Sequence, residues 1–158
     1  MRLTALAAAS ALALSACSQG DEAPAPAAEA PAPAPILAGV NLDQPVRALG
    51  TEPFWSLEFT GTELVYSTPE PPELRAPQPK PVMQGTVATY EASTADGVAV
   101  KATLSATECS DGMSDRTYPL TAIIEIGGET RTGCAASSAA IMTSGESGPV
   151  VEKVEPAA

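Results

Sequence analysis

The chain has 158 residues, 16 prolines, no histidine and a net charge of −11 at pH 7. Without histidine, Ser-His-Asp, Cys-His and His-metal chemistry are all excluded. The acidic balance argues against nucleic acid and against electrostatic binding to anionic lipid; it suits solubility or a cationic partner.

In chain order, the N-terminus comes first. Arg2 supplies a positive charge, and residues 3–14 are Leu, Ala, Thr and Ser without a charge. Small residues follow, ending in Leu14-Ser15-Ala16-Cys17. A charged start, a short apolar run and small residues at a cut site form the layout of a secretory signal. The run is too short for a bilayer, which needs roughly 20 apolar residues. The Leu-Ser-Ala-Cys sequence resembles the bacterial lipobox. That resemblance implies a diacylglyceryl group on the Cys17 thiol, cleavage before Cys17 and durable anchoring by several acyl chains. Ser18 after the cysteine, by the rule of enteric bacteria, points to the outer membrane.

Gly20 to Pro35 reads GDEAPAPAAEAPAPAP and has no large apolar residue to bury. Alternating Pro and Ala favours polyproline II, enough to hold a domain about 50 Å from a lipid surface. The foldable part is expected from Leu42 to Ala135, as one small domain. The assignment is 1–16 signal peptide, 17–41 lipidated Cys and Pro/Ala linker, 42–135 β domain and 136–158 disordered acidic tail. The tail is assigned on its Ala, Ser, Gly, Glu and Pro content and weak periodicity.

Within the domain the pattern is that of strands. FWSLEF (54–59) puts Trp55, Leu57 and Phe59 on one face, and ELVYS (63–67) follows a Thr60-Gly61-Thr62 turn, so a hairpin is expected. Residues 68–81 carry six prolines, which cannot donate to a sheet ladder, and read as a long loop or edge crossing. Residues 85–93 form a further β-like run, closed by Asp96-Gly97 as a tight turn. Val98, Val100, Ala102 and Leu104 alternate strictly, as do Leu120, Ala122, Ile124 and Ile126. Gly127-Gly128 then turns the chain into a returning strand at 129–134. Six or so short strands without helical periodicity give the expected fold class: all-β, a small antiparallel β-barrel or sandwich. Cys109 and Cys134, an even pair in an exported domain, imply one disulfide worth about 3 kcal/mol in the chain-entropy model.

Two segments stand out: Ala48-Leu49-Gly50-Thr51-Glu52-Pro53-Phe54-Trp55, and Cys109 to Pro119, CSDGMSDRTYP, with Gly133-Cys134-Ala135 later. Together they resemble a family of small bacterial envelope lipoproteins that carry a GTEPFW-like opening, a C-x-DGMSDR-x-YP segment and a closing GCA. The resemblance spans residues 47–135 and implies an envelope location and a fold more than an activity. The Pro-rich loop departs from the family pattern.

The candidate binding residues are Glu52, Trp55, Asp111, Asp115 and Arg116. Trp55 is either a core anchor or an aromatic platform at a pocket mouth. Glu52 is a pocket acid or a loop carboxylate facing water. The segment from Asp111 to Arg116 is either a self-satisfied loop or a recognition loop preorganised by the disulfide. Arg116 has Asp111, Asp115 and Glu52 as candidate partners. Asp111 and Asp115 lack the spacing of a calcium loop, so no metal or cofactor is assigned. Of the lysines, Lys101 is the one rigid candidate for a Ser–Lys pair, Lys80 lying in the Pro-rich loop and Lys153 in the tail. These features favour a non-enzymatic, membrane-anchored periplasmic lipoprotein whose β domain binds a protein or small ligand or supports the envelope. The alternatives are an inhibitor of a cationic lysozyme-like enzyme, steered by charge, and a carboxylate-based hydrolase, which needs Glu52 and Asp111 or Asp115 in one cleft.

Overall fold

The computed structural model describes residues 33–152. The signal peptide, Cys17 and most of the Pro/Ala linker lie outside the described residues. β1 (Ile36–Leu37) and β2 (Val40–Asn41) form a small hairpin. Four strands follow in a meander: β3 (Val46–Thr51), β4 (Phe54–Phe59), β5 (Glu63–Ser67) and β6 (Leu74–Pro77). Then come β7 (Val82–Gln84), β8 (Val87–Ser93) and β9 (Ala99–Ser105). A short ribbon, β10 (Cys109–Ser110) and β11 (Asp115–Tyr118), precedes the long hairpin of β12 (Leu120–Ile126) and β13 (Glu129–Ser137). The helix α1 (Ser138–Thr143) and β14 (Ser147–Pro149) end the fold.

The fold is all-β in architecture, as the alternation implies. Nine strands form one antiparallel sheet in the order β6-β5-β4-β3-β13-β12-β9-β8-β7, curled into a half-barrel. The cause is visible along β12, where Leu120, Ala122, Ile124 and Ile126 are buried on the concave face while the residues between them turn outward. β3, β4 and β9 repeat the pattern and stack their inward residues into one core. Phe59 and Tyr90 meet inside it with ring centroids 4.7 Å apart. Burial, with a smaller contribution from Asp43, pushes the Tyr90 hydroxyl up to about 12. Gly127 and Gly128, both at positive φ (58° and 85°), supply the tight turn between β12 and β13.

The Pro-rich stretch is not wholly loop. It carries β6, an edge strand, and joins it to β7, the opposite edge. Its prolines fall in the connections and at the end of β6, where they remove no bond from the interior of the sheet.

Both ends of the expected domain need correction. The folded part begins before Leu42: Leu37 and Val40 are buried in the main core. It also continues past Ala135, because Ala136 and Ser137 complete β13 and pair with β3. The disordered tail expected from Ala136 is therefore ordered through Val150. Ala136, Ala140 and Val150 pack with Tyr118 and Cys134 into a second, smaller core on the convex side of β13. Ser137 caps α1 by accepting from the Ala140 N–H at 3.0 Å. β14 then pairs in parallel with β11.

Candidate functional site

The site is built from three stretches: the end of β3, the β10–β11 ribbon, and the middle of β13. On β3 and β4, Gly50 is registered with Trp55. Trp55 is 5% exposed and stacks on Tyr66, with centroids 6.4 Å apart and planes 25° from parallel. Its indole lies flat over two glycines. A Cβ at position 50 would sit 2.1 Å from the indole Nε1. A Cβ at position 133 would sit 2.0 Å from the Leu49 carbonyl oxygen and 2.8 Å from the indole Cζ2. The glycines of the GTEPFW and GCA segments thus make room for one tryptophan. Trp55 is a core anchor, and the residue also borders a shallow cleft of about 380 Å³ beside Phe54 and Ser67.

The ribbon is held in place twice. The disulfide Cys109–Cys134 ties β10 to β13, with its Cα atoms 5.4 Å apart. Thr51 Oγ1 donates to the Asp111 carbonyl oxygen at 2.8 Å, which ties the turn to β3. Asp111 organises the turn itself. Its Oδ1 accepts from the N–H groups of Met113 (3.0 Å) and Ser114 (2.8 Å). Its Oδ2 accepts from the hydroxyls of Ser114 (2.8 Å) and Tyr118 (3.1 Å). Burial works against the charged carboxylate, but these four donors outweigh it and hold the Asp111 carboxyl below its ordinary range. For Tyr118, burial and then the neighbouring Asp111 charge prevail over the opposing influence of Arg116, so its hydroxyl titrates above the ordinary value.

Between these parts lies a cleft of about 320 Å³. Leu49 to Glu52 form one wall, Cys109 to Met113 the second, and Thr132 with Gly133 the third. All three segments singled out in the sequence converge here. Glu52 is at this cleft, exposed, and makes no hydrogen bond or ion pair among the described residues. Asp111 is there too, so Glu52 and Asp111 share the cleft that a two-carboxylate hydrolase requires. The Asp111 carboxylate, however, is turned into its own loop and saturated with donors, which suits a structural staple rather than a proton donor.

Asp115 and Arg116 lie elsewhere. Asp115 is exposed on β11 and registered with Ser147. Arg116 pairs with none of Asp111, Asp115 or Glu52. Its Nε donates to the Gly145 carbonyl at 2.8 Å, its Nη2 to the Ser144 carbonyl at 3.4 Å, and it meets Glu146 at 3.4 Å. The partners sit in the segment expected to be disordered, and for that reason the sequence pointed elsewhere. Trp55 and Arg116 do not share a cleft. Lys101 Nζ lies 3.8 Å from Glu91 Oε1 on the outer face of the sheet. Among the described residues, no three metal-ligating side chains cluster, and no helix is long and apolar enough to cross a membrane.

Sequence reasoning missed Thr51, Ser110 and Thr132 as cleft walls, and Ser144 to Glu146 as the seat of Arg116. The glycines at 50 and 133 were the available signal, since each marks a close approach. No family model, curated protein or solved structure matches the chain.

Proposed function

We propose that the chain is a lipid-anchored envelope protein, acylated at Cys17, whose β domain is a non-catalytic binding module. The lipobox-like Leu14 to Cys17 and the Pro/Ala spacer support the anchor, and Ser18 favours the outer membrane facing the periplasm. The resemblance to small envelope lipoproteins points the same way. The observation that carries the binding reading is the cleft beside Glu52. It is walled by a loop that one disulfide and one cross-strand hydrogen bond hold rigid, so little ordering entropy opposes binding there. The Asp111 staple favours binding over carboxylate catalysis.

The two parts are tested separately. Acylation gives the wild-type chain a mass increase confined to the peptide that begins at Cys17, and places the protein in the membrane fraction. Cys17→Ser removes both; a variant that stays membrane-bound overturns the anchor. For the cleft, Thr132→Arg fills the space from an exposed strand position and keeps the fold. It abolishes retention of the envelope component that binds the wild-type domain saturably. Unchanged retention by Thr132→Arg places binding elsewhere.

A further inference from the structure

Packing explains part of the GTEPFW segment and leaves part over. Gly50 and Trp55 are accounted for by the core, but Glu52, Pro53 and Phe54 between them are all exposed. Phe54 is 55% exposed, while none of the chain's other five aromatic residues exceeds 8%. A lone apolar residue on a surface is ordinary. Here the exposed ring lies two residues from a carboxylate that is also unused, their Cα atoms no more than about 7 Å apart. Exposed aromatic rings are the side chains that most often anchor protein interfaces.

The hairpin tip that carries both groups is fixed from below. Thr51 and Phe54 are the last registered pair of the β3–β4 ladder, so residues 52 and 53 alone make the turn. One pair back, Trp55 is seated against Gly50 and Gly133. Thr51 Oγ1 is bonded to the Asp111 carbonyl at 2.8 Å. The tip is therefore held by the fold itself, and little order is lost when it docks.

A hollow lies on each flank of the tip. On one side is the cleft of about 320 Å³ with Glu52 and Met113, a side chain 65% exposed. On the other is the cleft of about 380 Å³ with Phe54, Leu49 and Pro69. Leu49 to Thr51 border both. Covering Glu52, Phe54 and Met113 at once takes a surface wider than either hollow, which a folded protein supplies. The charge sets its sign. Glu52 and Glu70, which follows Pro69, have no ion pair among the described residues. Arg47, the one cation bordering the two clefts, is already paired with Glu58 at 3.3 Å. Together with the net charge of −11, this favours a basic partner.

We infer that the β3–β4 tip is a docking key for a folded basic protein. Phe54 enters an apolar pocket of that protein, and Glu52 meets a lysine or arginine at the pocket's rim. This rests on the cleft beside Glu52 being part of the binding surface, and it places the anchor on the ring next to that cleft.

The test puts a photo-crosslinking side chain at position 54 of the full chain in cells, with position 123, exposed on β12, as the control. The adduct is identified by mass spectrometry, and the partner is purified and titrated against the full chain in detergent. Position 54 yields one protein of net positive charge, and position 123 does not. Phe54→Ala weakens that protein's binding by at least about tenfold, the scale of an interface anchor, and leaves the urea midpoint near that of wild type. Phe54→Leu keeps more of the affinity. Glu52→Gln costs up to about fivefold at low salt and little at high salt. No protein adduct at position 54, an acidic protein, a lipid or glycan adduct, or equal yield at position 123 overturns the inference. So does unchanged affinity in Phe54→Ala. If Phe54→Ala is neutral while Thr132→Arg still removes binding, only the docking key falls. If both are neutral, the cleft falls with it.

Discussion

Gly50 and Gly133 lie on neighbouring strands, and each leaves the space that the Trp55 ring fills. Gly50→Ala drives a Cβ into the indole, and Gly133→Ala drives one into both the indole and the Leu49 carbonyl. Overpacking of this kind costs about 1–3 kcal/mol, and Gly133→Ala is expected to be the worse, because a backbone oxygen cannot rotate away. Denaturant titration of the single variants checks the order. Replacing Trp55 with Leu as well should recover much of the Gly50→Ala loss but little of the Gly133→Ala loss, a coupling that a double-mutant cycle reads directly. Asp111 supports a pH prediction. Its folded carboxyl lies below the ordinary value of 3.8, so its contribution is complete above about pH 4 and is lost as pH falls through the lower, folded value. Asp111→Asn should be less stable than wild type at neutral pH by about 1–2 kcal/mol. The gap should narrow on acidification, as thermal unfolding at a series of pH values will show.

At the level of elements, the β10–β11 ribbon and the C-terminal strap of α1 and β14 depend on a few fixings. Replacing both Cys109 and Cys134 by Ser should destabilise the domain by about 3 kcal/mol, with the loss read as an earlier urea midpoint. Arg116→Ala removes the bonds to Gly145, Ser144 and Glu146. The amides of residues 144–150 should then exchange faster while those of β12 stay protected. The strands that were legible in the sequence are those whose burial is written in their own alternation, such as Leu120 to Ile126. The strap was not legible. Ala136 and Ala140 carry little apolar signal, and they are buried only because Tyr118, Cys134 and Val150 surround them. The β1–β2 hairpin was hidden for a related reason: its two residues per strand are too few to show a period.

For the molecule as a whole, the structure shows an acidic β domain, and the tether at Cys17 belongs to the proposed function. Its one cleft shared by all three motif segments was only partly foreseeable. The motif residues were visible, and so was the Cys109–Cys134 pairing. That the pairing, together with Thr51, brings Glu52 and Ser110 to one cleft beside β3 and β13 follows from strand register, which no local pattern encodes. Arg116 shows the converse, because a residue prominent in its motif serves the strap and not the cleft. The most direct test places a photo-crosslinking side chain at position 132 in the cleft, and at Asp96 in the distant β8–β9 turn, in cells that produce the full chain. Position 132 is expected to give a discrete adduct that Glu52→Gln diminishes, and position 96 none. Adducts of equal yield from both positions, or none from position 132, would contradict the assignment of the cleft as the binding site.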